Sequence, residues 1–285
     1  MPEGSPKSAE IDAFHRDGAV LLRGLLSPTW MQVIEDAIEA VLAAPGPRSK
    51  FAVPESRSFF QDSDNRRRVA AIDEIVWRSP IADVARRLLR SRKINFLQDH
   101  ILVKEPGTER RTIWHQDQPY SPVDGRDFIT FWIAADPVPV ERSLRLVRGS
   151  HLAGRWYRPR HFSNGAERDG DDPTWAPIPD VDADPVAYPV IGWGVAPGDV
   201  VAFHGLTLHG AAGNQTTEDR RRVLSLRWTG DDARFAPRGG PMSPPPPVER
   251  PLVAGGPLDG PDFPVVIDED HATLGQQTDR KGMTS

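Results

Sequence analysis

The chain of 285 residues carries a formal net charge of -5, with 38% hydrophobic and 26% charged residues, enough for one large domain or two small ones. It has no cysteine, which excludes disulfides, thiolate zinc sites, iron–sulfur clusters and cysteine nucleophiles, so any metal must sit on histidine and carboxylate. No apolar run approaches the roughly 18 residues of a membrane span, the N-terminus lacks the basic-then-apolar pattern of a secretory leader, and mild acidity does not suit a nucleic-acid-binding face.

Residues 8 to 95 read as helical with a strand insert. Gly18 to Gly24 is that insert, a short apolar run between turn signals. Ser27-Pro28 then opens a helix, with Ser27 as N-cap and Pro28 in the first turn. Met31, Ile34, Ala37, Ile38 and Val41 recur at helical spacing, and Pro45 ends the pattern. Ile81 to Leu89 is a further amphipathic helix.

Residues 94 to 230 read as strands. Asn95–Val103, Thr112–Tyr120, Phe128–Ala135, Leu144–Val147, Gly194–Ala196, Val200–Phe203 and Arg222–Trp228 are short runs bounded by Pro, Gly and Asp. Helices first and strands later, without βαβ alternation, predict an antiparallel sandwich or barrel. Between Ala236 and Val265 ten residues are proline and five are glycine. Such a segment cannot be helix or central strand and reads as an extended arm, wrapped over the domain or loose.

There is no P-loop, GxGxxG, GxSxG or HExxH motif, which leaves the eight histidines: His15, His100, His115, His151, His161, His204, His209 and His271. The strongest local feature is Trp114-His115-Gln116-Asp117. On a strand, His115 and Asp117 would share a face and supply half of a 2-His-1-carboxylate facial triad. His204 and His209, about ninety residues on, are candidates for the third ligand. Such a triad leaves one face of a metal open. Arg220-Arg221-Arg222 begins eleven residues after His209, and a guanidinium is the natural partner of a carboxylate.

Taken in order, these pieces resemble the phytanoyl-CoA dioxygenase family of iron(II)- and 2-oxoglutarate-dependent oxygenases. The resemblance runs from about residue 10 to residue 235. It rests on Phe14 to Ser27, the His115-x-Asp117 motif, Phe131 to Asp136, the Arg148 to His151 turn and Pro197 to Asn214. The implied fold is mainly β with flanking helices: a double-stranded β-helix, a cupin-like jelly-roll barrel with N-terminal helices packed on one side. The implied organisation is one oxygenase domain over 1–235, with helical part 8–95 and barrel 94–230, then a Pro/Gly-rich arm over 236–285.

The resemblance assigns iron(II) to His115, Asp117 and His209, and the far carboxylate of 2-oxoglutarate to Arg221. Counting from His209 alone would favour Arg220. Val223 and Ser225 fall on the face of Arg221. Trp132 and Gln98 stand where related members approach the cosubstrate, and Leu97 borders it. His204 reads as structural, and His151 as a turn residue. The family often has serine where this chain has Ala211, glycine at Ser143 and proline at Arg148. A carboxylate at Asp117 favours hydroxylation over halogenation.

The implied activity is hydroxylation of a C–H bond in a small molecule, using O2 and converting 2-oxoglutarate to succinate and carbon dioxide. Desaturation or ring formation would use the same scaffold. The rivals are a zinc hydrolase, which has no need of the downstream arginine, and a non-catalytic binding barrel. Residues 50–68 and 158–189, with Arg57, Trp156, Tyr157, Arg158, Arg160, His161 and Trp175, are the expected pocket walls. A cytoplasmic enzyme with a small-molecule substrate, and neither a nucleic-acid nor a membrane partner, is expected.

Overall fold

A computed structural model describes residues 4–162, 164–168 and 172–270. His271 and the end of the expected arm lie outside them. The helical half begins with α1 (Ser8–Asp17), β1 (Ala19–Leu22) and α2 (Pro28–Ala43). Gly18 ends α1 at φ 77°, a conformation glycine adopts freely. A Cβ there would also lie 2.4 Å from the His151 ring. Ser27 caps α2 by accepting from the Trp30 amide at 3.4 Å, and the buried face is Met31, Ile34, Ala37, Ile38 and Val41, as the periodicity predicts. Next come β2 (Lys50–Phe51), β3 (Phe59–Ser63), α3 (Ala70–Arg78) and α4 (Ile81–Leu89). Among these, α4 is the predicted amphipathic helix.

The strand-rich half follows: β4 (Lys93–Lys104), β5 (Thr112–His115), β6 (Val123–Asp124), β7 (Phe128–Ala134), β8 (Leu144–Val147) and β9 (Val190–Gly192). It ends with β10 (Val200–His204), β11 (His209–Ala211), β12 (Arg221–Thr229), β13 (Arg234–Phe235) and β14 (Val265–Asp268). The eight-stranded sheet runs β1-β10-β7-β12-β4-β3-β2, with β14 added on β4. A four-stranded sheet runs β5-β11-β8-β9. Their pairings are antiparallel, and the sheets do not close into a hydrogen-bonded barrel.

Strand alternation divides the core. Ile129, Phe131, Ile133, Val200, Ala202, Leu224, Leu226 and Trp228 pack with the helices in one cluster. Their neighbours Trp132, Ala134, Val201, Phe203 and Val223 pack with Leu144 and Leu146 of the smaller sheet. Full burial of one such side chain contributes about 1.5–3 kcal/mol, so the two layers fix which residues face between the sheets.

Three strand predictions need correction. The run Thr112–Tyr120 stops pairing at His115; Asp117 has αR backbone angles and Gln118–Tyr120 is a 3-10 turn, where Pro119 has no N–H for a ladder. Gly194–Ala196 is no strand: Val195 makes only a single bridge to Val138, and β9 lies just before it. The helical half carries β2 and β3 besides β1. The described part of the Pro/Gly-rich segment is wrapped onto the sheet. Leu258 and Phe263 are buried against Leu97, Val123 and Phe128, and Ser243 N–H donates to the Tyr120 carbonyl at 2.8 Å.

Candidate metal centre

His115 and His209 are far apart in sequence but directly opposite in the β5–β11 register. Each ring is fixed from behind. His115 Nδ1 donates to the Ile113 carbonyl at 2.8 Å and His209 Nδ1 to the Thr207 carbonyl at 2.9 Å. A carbonyl can only accept, so both protons sit on Nδ1 and both Nε2 lone pairs are available to a metal.

Asp117 completes the group because the chain turns after β5, not because it shares a strand face with His115. Its Oδ1 lies 3.7 Å from His115 Nε2 and 3.9 Å from His209 Nε2. One ligand atom from each of the three residues lies within 4.8 Å of the others, and all three residues are buried. Gln116, between them, serves as a brace: its amide donates to the Arg155 and Leu206 carbonyls at 3.0 and 2.8 Å.

The Asp117 carboxylate is anchored twice. Thr130 Oγ1 donates to Oδ2 at 2.7 Å, and Arg227 donates to Oδ1 at 2.9 Å. Burial alone would raise its pKa, but Arg227, then the two histidines, hold it well below the usual carboxylate range. Burial, followed by the nearby His115, pushes His209 down to about 3. The group therefore offers one carboxylate and neutral imidazole nitrogen, the donor set of a non-haem iron(II) site with open positions.

The triad lines a cavity of about 360 Å³ between the sheets, with Trp132, Phe203, Val223, Ser225 and Arg221 on its wall. The three arginines diverge. Arg220 lies at the surface and pairs with Glu105 at 2.7 Å. Arg222 turns to the helical side and pairs with Asp136 and Glu39 at 2.7 and 2.9 Å. Arg221 enters the cavity, 4% exposed. It donates to the carbonyls of Arg142, Ala212 and Gly213 but has no carboxylate partner among the described residues. Burial, then Arg142, lowers its pKa to about 10. Lys104, 1% exposed, lies alongside, donating to the Arg110 and Ala212 carbonyls at 2.8 and 2.9 Å. Two buried cations without a counter-ion are costly, and a dicarboxylate would supply one.

Trp132 lines the cavity with the triad. Gln98 and Leu97 do not; both border a smaller cavity nearby. A bulge in the β4–β12 register between Arg227 and Trp228 puts Leu97 in the apolar cluster under the arm. Gln98 instead accepts from Arg227 at 2.6 Å and donates to Asp64 and Ser243, each at 3.0 Å. His204 has a structural part, bonded to the Arg126 carbonyl at 2.7 Å.

Of the expected pocket walls, Arg160 and His161 line the cavity. Arg158 pairs with Glu167 at 2.7 Å, Arg57 stacks on Phe51, and Trp156 and Trp175 flank Arg238. Tyr157 is buried in a separate apolar cluster. Arg227, Lys104 and Thr130 were not foreseen from the sequence. Arg227 was within reach, because alternation through Arg221, Val223 and Ser225 arrives there.

The phytanoyl-CoA dioxygenase model matches residues 14–223. A probable phytanoyl-CoA dioxygenase of Caenorhabditis elegans is 26% identical over 250 residues, covering 81% of this chain and 78% of that protein. The multifunctional dioxygenase prhA of Penicillium brasilianum is 28% identical over 249 residues, covering 78% and 73%. The crystal structure of the non-heme alpha ketoglutarate dependent carbocyclase SnoK from nogalamycin biosynthesis matches with a TM-score of 0.71 and 25% identity, covering 93% of this chain and 98% of that one. By sequence, by double-stranded β-helix topology and by its buried histidine–carboxylate group, the chain belongs to the phytanoyl-CoA dioxygenase family of iron(II)- and 2-oxoglutarate-dependent enzymes.

Proposed function

We propose that the protein hydroxylates a C–H bond of a small-molecule metabolite, with iron(II) on His115, Asp117 and His209 and 2-oxoglutarate reaching from there to Arg221. The observation that carries this reading is the pairing, in one cavity, of the three-ligand group with a buried arginine that lacks a carboxylate. Iron bound there supplies the redox chemistry, in which O2 converts 2-oxoglutarate to succinate and carbon dioxide and one oxygen atom goes to the substrate.

The chain's own residues prepare that chemistry. The Ile113 and Thr207 carbonyls keep the histidine Nε2 atoms unprotonated. Thr130 and Arg227 keep Asp117 ionised and aimed. Arg221 would receive the far carboxylate of the cosubstrate, with Trp132, Val223 and Ser225 on the surrounding cavity wall. Phe162 and Tyr120 stand edge-on to His115, at 4.8 and 5.9 Å between ring centroids, and exclude water from that side. Gln98 acts at one remove, by orienting Arg227.

The test is mass analysis of products formed from candidate metabolites with iron(II), 2-oxoglutarate and isotopically labelled O2. A product that gains one labelled oxygen, with succinate formed in step, supports hydroxylation. A product that has lost two hydrogens and gained no oxygen moves the reading to desaturation or ring formation. Turnover that needs neither O2 nor 2-oxoglutarate overturns it in favour of hydrolysis.

A further inference from the structure

The same cavity carries more positive charge than iron and 2-oxoglutarate explain. Of the cations on its wall, Arg227 is paired with Asp117, Arg48 with Asp64 at 2.7 Å, and Arg221 and Lys104 belong to the cosubstrate end. Arg168 stacks on Tyr120 and donates to the Pro241 carbonyl. Arg160 and Lys50 remain. Both line the cavity, and neither has an ion-pair partner among the described residues.

The Arg160 backbone is tied to Tyr120. Its N–H donates to the Tyr120 hydroxyl at 2.7 Å, and its carbonyl accepts from that hydroxyl at 2.9 Å. Tyr120 lies in the turn that carries Asp117. Arg160 Nε is buried without a hydrogen-bond partner. Lys50 stands on β2, at an edge of the larger sheet, with its side chain exposed at the cavity wall. Two cations without an ion-pair partner on the wall of one cavity favour an anionic occupant.

We propose that the substrate carries a carboxylate or phosphate group, and that Arg160 and Lys50 receive it, fixing which end of the molecule points at the metal. The proposal rests on the oxygenase reading of the site and names its substrate class. Arg160 suits a bidentate contact with either anion, and Lys50 adds a point charge.

The test uses the full chain loaded with iron(II) and saturating 2-oxoglutarate in the absence of O2, so that Arg221 is already engaged. Benzoate, phenyl phosphate and neutral benzyl alcohol are titrated in by calorimetry. At least one anion is expected to bind saturably and more tightly than benzyl alcohol, and the tighter anion distinguishes carboxylate from phosphate. Arg160→Gln and Lys50→Gln are each expected to weaken it by about tenfold or more, the scale of a lost charge-assisted bond. Failure of both anions to outbind benzyl alcohol, or unchanged anion binding in the double variant, overturns the proposal. The visible band of the iron–2-oxoglutarate chelate is recorded throughout and is expected to be the same in every variant. Its absence from the unaltered protein would instead be a failure of the oxygenase reading, separate from the anion site.

Discussion

Asp117 has two fixed donors besides its histidine neighbours, and they divide its work. Thr130 holds Oδ2, while Arg227 holds Oδ1, the oxygen that faces the histidines. Arg227→Gln removes the charge that keeps the carboxylate aimed, and iron(II) affinity is expected to fall about 10- to 100-fold. Unchanged affinity by metal titration would mean that Thr130 alone orients the ligand. His204 gives a separate pH signature. Burial, then His151, lowers its pKa from 6.5 to about 4. The unfolded chain therefore takes up this proton first as pH falls. The stability contributed by His204 is complete above pH 6.5 and is lost as pH drops toward 4, by up to about 3 kcal/mol. His204→Gln should flatten unfolding free energy against pH across that window, and an unaltered slope would contradict the assignment. That His115, Asp117 and His209 meet, with Arg221 in the same cavity, was legible through the family resemblance; spacing alone left His204 and Arg220 as alternatives. Asp117 was placed on the wrong backbone, since alternation assumes that a strand continues and Pro119 stops it.

Local order was legible where a pattern is long. The apolar repeat of α2, the amphipathic run of α4 and the core strands β4, β7 and β12 all stand near their expected positions. The short strands β3, β11 and β14 were not foreseen. They exist through pairing with remote partners, β14 on β4 and β11 between β5 and β8, and a few residues hold too little local preference to announce this. The bulge beside Gln98 is a similar case. Outward apolar positions on β4 switch from Ile94 and Phe96 to Ile101 and Val103 across it, so counting along the strand misplaces Leu97 and Gln98. Helix α2 supports the sheet without touching the metal group. Ile38, fully buried, should cost about 2–5 kcal/mol on replacement by Ala. Denaturant unfolding should show that loss while iron(II) affinity at low temperature stays the same. A coupled loss of metal binding would show that the helix layer positions the site.

Two sheets, a helical layer and a wrapped segment make one cavity. The proline content led to the expectation of an extended arm, but it does not show the segment's course or that it ends in β14 on the larger sheet. That course depends on contacts no local pattern shows: Phe263 and Leu258 in the cluster with Leu97, and Ser243 bonded to Tyr120 and Gln98. Pro241, Met242 and Ser243 of this segment stand on the cavity wall. Phe263→Ala should lower stability by about 3–5 kcal/mol, measured by chemical denaturation. A change under about 1 kcal/mol would show that the arm packs loosely.

Three protein ligands and one buried arginine are proposed to hold iron(II) and 2-oxoglutarate together. Anaerobic titration of the purified protein with iron(II) and then 2-oxoglutarate, followed by visible absorption, tests it most directly. A charge-transfer band of the chelate is expected, absent in His115→Ala and requiring about 100-fold more 2-oxoglutarate in Arg221→Ala, the scale of a lost charge-assisted ion pair. No band in the unaltered protein, or equal cosubstrate demand with and without Arg221, would contradict it.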